Sequence, residues 1–300
     1  MKNVLVLYYT QSGQLGEIAD NIAKPLVQSP DVNVVFHEIE MVKPFPFPWT
    51  KEAFFDVFPE SFLQIPAEIK PIPQEILETE FDLVLLHYQV WFLSPSIPIT
   101  SFLKSEYAEK ILNNTPVITI NGSRNMWYLA QQKVKALLEA NGALLKGNIA
   151  LVDRAGNLIS VITIVEWMFS GKKERHLEIF PKPGVSDKDI RESDKFGKVI
   201  ATALQDENFN GLQPKLLALG AARVSPYLIT VDKKGNLIFS KWSALIIKRN
   251  KSRKRLLKVF VVYLALAIWI ISPIVYILHL FTYPLRLRKI KKYVAYYKNV

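Results

Sequence analysis

The chain contains no cysteine. That absence excludes disulfides, Fe–S clusters, zinc–thiolate sites and any cysteine nucleophile, whatever the compartment. No long apolar run opens the chain. After Met1-Lys2-Asn3 comes only Val4 to Tyr9, too short for a signal-peptide core and placed directly before a turn motif, so it is expected to be a strand. Acidic residues are missing from one stretch altogether. From Lys248 to Val300 there are 13 Lys/Arg and no Asp or Glu, whereas the first 247 residues hold 25 basic and 27 acidic side chains. The formal charge of +11 therefore divides into a body at −2 and a tail at +13. Because the tail's cations bracket an apolar run, nucleic acid is not the expected partner.

What is present begins with a 50% apolar composition, ample for a buried core. Over the first 205 residues, apolar strands alternate with helical patterns, which predicts an α/β fold with a parallel sheet. The strands are expected at Val4–Tyr9, Val32–Ile39, Asp82–Tyr88, Pro116–Asn121 and Asn148–Val152. Helices fit at Gly16–Leu26, where Ile18, Ile22 and Leu26 share a face, and at Ile97–Leu112, Tyr128–Asn141 and Asp187–Gln205.

Two segments interrupt or extend this pattern. Residues 41–74 form an insertion with seven of the 18 prolines and the aromatics Phe45, Phe47, Trp49, Phe54, Phe55, Phe58 and Phe62. Such a segment is not a solvated linker; it is either a connector packed on the sheet or a lid over an apolar substrate. Residues 206–247 are expected to connect body and tail, with a hairpin of Tyr227–Val231 and Leu237–Lys241 around Asp232-Lys233-Lys234-Gly235-Asn236.

The first motif with chemistry comes directly after the first strand: Thr10-Gln11-Ser12-Gly13-Gln14-Leu15-Gly16, then a helix. Hydroxyls and a glycine at a strand-to-helix turn can hold a phosphate on backbone N–H groups at a helix N-terminus. It is neither a Walker loop nor GxGxxG, and with no lysine nearby it suits a monophosphate. These residues resemble the phosphate loop of flavodoxin-like FMN proteins, T/S-x-T/S-G-x-T, with Thr10, Ser12 and Gly13 matching. Leu15 departs from it, standing where that family has a third hydroxyl.

Two further segments carry the same resemblance. Tyr88-Gln89-Val90-Trp91-Phe92 precedes Leu93-Ser94-Pro95, and Asn121-Gly122-Ser123-Arg124 ends the fourth strand. In an open α/β sheet both would share the carboxyl edge with the phosphate loop, where ligands bind. The resemblance implies a doubly wound five-stranded sheet with FMN as cofactor. It places residues 10–15 on the phosphate, and residues 88–92 and 121–124 around the ring. NAD(P)H is a candidate electron donor. Arg124 could steady negative charge on a reduced ring or bind an acidic substrate group. His87 is the nearest acid–base candidate; His37, His176 and Glu166 are expected to be structural. No metal site is expected.

The tail's Val259–Leu285 carries 27 residues with no Asp, Glu, Lys or Arg, long enough as a helix to cross a hydrocarbon core of roughly 30 Å. Seven basic residues precede it and six come after it, which suits anionic headgroups and would keep both flanks on the cytoplasmic face. Pro273 divides the run into halves of 14 and 12 residues, favouring a re-entrant form over a single crossing. Together with the chain's length, this basic apolar tail resembles the bacterial dialkylresorcinol condensing enzymes of aryl polyene and flexirubin pigment synthesis. Without cysteine, thiolase-type condensation is excluded. That resemblance then implies an FMN-dependent oxidation of a condensed cyclic diketone, beside a ketosynthase and an acyl carrier protein. A membrane NAD(P)H:quinone or flavin reductase shares every motif quoted. A non-enzymatic, membrane-tethered electron carrier is a third reading, but such carriers usually need an acidic docking face, which is not evident in a body at −2.

Overall fold

A computed structural model describes residues 1–300. The apolar runs form strands β1 (Lys2–Tyr8), β2 (Val32–Glu38), β3 (Leu83–Trp91), β4 (Ser94–Pro95), β5 (Pro116–Ser123) and β6 (Leu144–Val152). The five long strands are all parallel, in the order β2-β1-β3-β5-β6, while β4 folds back antiparallel on the end of β3. With β4 set aside, the spatial order is 2-1-3-4-5, the flavodoxin-like doubly wound arrangement. Parallel strands buried on both faces must be apolar throughout, which is why they read as continuous runs.

Helices cover both faces. On one side lie α1 (Gln14–Val27), with α9 (Asp187–Arg191), α10 (Asp194–Gln205) and α11 (Leu212–Ala218) later in the chain. Ile18, Ile22 and Leu26 of α1 pack there on Val4, Val6, Leu83 and Leu85. The insertion supplies α2 (Lys51–Asp56), α3 (Phe58–Leu63) and α4 (Gln74–Leu77). On the other face, α5 (Ile97–Leu103), α6 (Glu106–Leu112) and α7 (Tyr128–Ala140) enclose Leu5, Leu7, Val84, Leu86 and Tyr88. The expected helices 97–112 and 187–205 are each broken in two. Ser105 and Ser193 stand at the N-cap of the second piece, and serine there favours a fresh start over continuation.

Strand β3 runs three residues further than expected, through Trp91. The boundary at residue 205 also moves. Leu212, Leu216 and Ala221 complete the α1-side core, and Ala150 donates to the Ala221 carbonyl at 2.7 Å beside the edge strand β6.

The expected hairpin in 206–247 is not formed; those residues are one helix, α12 (Pro226–Lys248). Asp232 and Asn236 do not turn the chain. Asp232 is buried and its carboxylate accepts the Leu129 N–H at 3.1 Å, capping the start of α7 from outside. Burial lifts its pKa to about 6. Gly235 is helical: a Cβ there would lie 2.8 Å from Leu93, so the glycine serves close approach.

Beyond α12, α13 (Arg253–Leu266) continues through a π-helical segment, Ala267–Ile271, into α14 (Ser272–Thr282). Asn250–Thr282 is one 33-residue helix, long and apolar enough to cross a membrane. Pro273 therefore does not produce the expected re-entrant break. The wider π turn precedes the proline, a known way for a helix to absorb a lost N–H. The chain ends in α15 (Leu287–Lys298).

Candidate cofactor site

Residues 10–16 join β1 to α1 at the carboxyl edge of the sheet. Gly13 is the N-cap of α1 at φ +83°, a left-handed backbone open to glycine, and nothing lies within 4 Å of where its Cβ would be. No side chain caps this helix, and no backbone N–H from Gln11 to Gly16 donates to a protein acceptor. A ring of free donors at the positive end of a helix dipole is an anion cradle.

The side chains of this loop divide by role. Thr10 keeps a buried Oγ1 without a partner, and Ser12 is half-buried at the open edge. Gln11 turns away, donating to the Pro46 carbonyl at 2.7 Å, and Gln14 is buried against Val185, whose N–H it accepts at 3.0 Å. Leu15 is core, not site. It sits at 2% exposure, with its Cδ1 3.1 Å from where a Gly122 Cβ would be. The missing third hydroxyl thus reflects packing between α1 and β5.

The expected ring segments are placed unevenly. Tyr88 is a correction: it is fully buried on the α5–α7 face, its hydroxyl donating to Gln131 at 2.6 Å. Strand alternation puts it on the covered side of the sheet. Gln89 accepts the Trp91 indole N–H at 3.1 Å, and Val90 pairs with Pro95. Trp91 packs edge-on against Tyr9, Phe45 and Trp49 at centroid distances of 6.1, 5.2 and 5.5 Å. Phe92, at φ +48°, turns out to Phe54 and Phe58 of the insertion. The insertion thus packs over the carboxyl end of β3, and the Trp49 N–H donates to the Met168 carbonyl of α8 (Asn157–Ser170) at 2.8 Å.

The third segment is better placed. Asn121 is buried with its Nδ2 unpartnered, and Asn125 keeps an unpartnered Oδ1. Arg124 donates from Nη1 to the carbonyl and side-chain oxygens of Asn157 at 3.0 Å each, and it makes no ion pair. Burial lowers its pKa to about 10, against the pull of nearby Asp153, so it remains a cation at neutral pH. Arg124 is half-buried, and a partly desolvated cation bound only to neutral groups is stabilised when an anion joins it.

His87 is a second correction. It is fully buried in β3, its Nδ1 3.1 Å from the Leu85 carbonyl, and burial lowers its pKa to about 4. It is neutral at pH 7 and lies inside the sheet, short of the edge. Its folded pKa lies below the unfolded 6.5, so the unfolded chain binds the proton first. Stability is full above pH 6.5 and falls by about 3 kcal/mol as the pH drops to 4. Urea unfolding of His87→Gln across that range should lack this loss. His37 is half-buried and Glu166 exposed, with no role at this edge.

Sequence reasoning missed the outer wall of the site. Asp153 accepts Ser160 Oγ at 2.9 Å and the Ala155 N–H at 2.8 Å, fixing the start of α8 and, through Asn157, Arg124. An Asp–Asn pair four residues apart after a strand was the available signal. A separate cleft of about 440 Å³, lined by Lys2, Asp82, Leu144, Lys146 and Glu207, opens at the amino ends of the strands, away from these loops.

Strand order defines an open α/β protein of flavodoxin-like fold. No protein-family profile matches the sequence, and no curated protein does. Among solved structures the chain is similar to a flavoprotein in complex with FMN from Lactobacillus acidophilus, at 18% identity over 50% of this chain and 93% of that one, with a TM-score of 0.40. It is also similar to a flavodoxin from the domain Archaea, at 14% identity over 68% and 99%, with a TM-score of 0.39. Flavodoxin 1 from Bacillus cereus matches at 14% identity over 66% and 95%, with a TM-score of 0.36.

Proposed function

We propose that this chain is a membrane-associated, FMN-dependent oxidoreductase that acts on an apolar, lipid-like substrate. One observation carries the cofactor: the free N–H groups of residues 11–16, after β1, and the half-buried Arg124, which makes no ion pair, after β5, sit on loops of the same sheet edge. Together they suit a ligand with a phosphate and a second, electron-rich end. Thr10, Ser12 and the loop N–H groups would hold the phosphate, and Arg124, Asn121 and Asn125 the ring edge. When bound, FMN would supply hydride transfer. Arg124 would stabilise negative charge at that edge, and the aromatic insertion would exclude water. Neutral His87 takes no part in proton transfer.

The apolar C-terminal helix and its cations support membrane association, at the cytoplasmic face. The resemblance to dialkylresorcinol enzymes makes a cyclic diketone the first substrate to test. The full chain purified in detergent should carry a visible flavin spectrum and bind FMN at least about tenfold more tightly than riboflavin, since only FMN has the phosphate. A colourless protein that binds neither would overturn the cofactor reading. Rapid reduction of the bound flavin by NAD(P)H would favour the quinone or flavin reductase. Reduction by the diketone alone would favour the aromatising oxidase.

A further inference from the structure

The apolar helix Asn250–Thr282 is about 50 Å long at 1.5 Å per residue. Its amino end is fastened to the insertion. Arg253 makes a two-pronged bond to Glu60, at 2.8 and 2.7 Å, and a third to Asp56 at 2.6 Å. Two turns further on, the Phe260 ring stacks on Phe58 at 4.0 Å with an interplanar angle of 3°.

The other end is fastened as well. The Tyr227 hydroxyl at the start of α12 donates to the Ser272 carbonyl at 2.9 Å, and the Tyr227 ring meets Tyr276 at 5.0 Å. Between these ends Tyr263 packs on Trp242. The helix therefore lies antiparallel along α12, with one face on it.

Beyond the helix, the last residues of the chain return to the body. Tyr297 of α15 is buried against Tyr128, with ring centroids 5.5 Å apart. Gln213 donates to the Lys298 carbonyl at 2.8 Å, and Tyr296 donates to Gln132 at 2.7 Å. A helix that crossed a bilayer would carry α15 to the far side, out of reach of Tyr128 and Gln213.

The opposite face has no partner. Val262, Trp269, Ile270, Ile277, Leu278 and Phe281 are 46 to 77% exposed along the helix. A stripe of this extent is far larger than an isolated surface residue requires. It is bordered at both ends by the 13 basic residues of the tail, with no acidic one among them. That charge selects an anionic surface as the occupant.

We infer that the helix lies in the plane of an anionic bilayer, clamped to the body at both ends and embedded by its outward stripe, and that it does not cross. This rests on the membrane association proposed above and specifies its geometry. A body held flat against the interface keeps the insertion, which touches both Trp91 and Phe260, near the lipid surface.

The cysteine-free sequence makes the test clean. Single variants Val262→Cys, Ile270→Cys and Leu278→Cys of the full chain would be labelled with an environment-sensitive fluorophore. Each is then mixed with phosphatidylcholine–phosphatidylglycerol vesicles containing nitroxide lipids of shallow or deep position. The in-plane geometry gives the same shallow quenching at all three positions, within about 5–10 Å of the headgroups, and binding that weakens with salt. Deep quenching that peaks at the Ile270 label would mean a crossing helix and would overturn the inference while leaving membrane association intact. Failure to float with vesicles would overturn the membrane reading itself. Labels already shielded in a lipid-free dimer would assign the face to a second copy of the chain, and would equally overturn it. Flavin content, read on the same samples, is independent of all these outcomes.

Discussion

Gly197→Ala is expected to lower the free energy of unfolding by about 3 kcal/mol, a large fraction of the roughly 5–15 kcal/mol that holds a domain folded. Gly197 lies in α10 where it crosses α1, and a Cβ there would stand 2.0 Å from the Ile22 carbonyl oxygen and 2.9 Å from Pro25. A backbone carbonyl inside a helix cannot step aside as a side chain end can, so α10 must move off the sheet. Val4, Ile22, Phe196 and Ile200 share the core that would open. Lys198→Ala, one residue away and exposed with only an i,i+4 ion pair to Asp194, should cost less than about 0.5 kcal/mol. Chemical denaturation of the two variants side by side checks this; equal effects would show that the two helices do not meet as described.

The second large effect concerns the cradle. Ser12→Glu is expected to weaken FMN binding at least about 100-fold while leaving riboflavin binding and the far-ultraviolet circular dichroism unchanged. A carboxylate at residue 12 would occupy the free N–H groups at the start of α1 and repel a phosphate dianion. A hundredfold loss corresponds to about 2.7 kcal/mol. The folded chain itself should tolerate the change, because Ser12 is at the edge and an acidic group suits a helix N-terminus. Flavin titration of the purified variant is the measurement. If riboflavin falls with FMN, the defect lies in the fold; if neither falls, the phosphate is held elsewhere.

Much of the sheet was legible because it depends on local pattern. Short apolar runs such as Leu83 to Leu86, bounded by polar residues and alternating with helical stripes, fit strands buried on both faces. A strand running into Thr-Gln-Ser-Gly and a helical stripe can hardly be anything but a strand–turn–helix unit. The errors share a different cause. Asp232-Lys233-Lys234-Gly235-Asn236 has the composition of a turn, but Asp232 caps α7 and Gly235 makes room for Leu93, partners 103 and 142 residues away in the chain. Tyr88 read as a ring contact and His87 as an acid–base candidate because they end an apolar run; strand pleat and the extension of β3 to Trp91 bury both instead.

The sequence by itself determined the division of charge, the absence of thiol chemistry, the parallel α/β architecture and the existence of an apolar helix at the end. These come from composition and from periods of two and 3.6 residues, which need no distant partner. Only the tertiary structure decided which polar groups at the carboxyl edge are left unpaired, that Leu15 belongs to the core, and that Pro273 does not break the last long helix. It also decided that this helix lies along the body with both ends tied down. Those outcomes depend on contacts such as Arg253 with Glu60 and Tyr297 with Tyr128, whose members are 193 and 169 positions apart. Contacts at that range are set by how the layers close on one another, and no local pattern in the sequence encodes them.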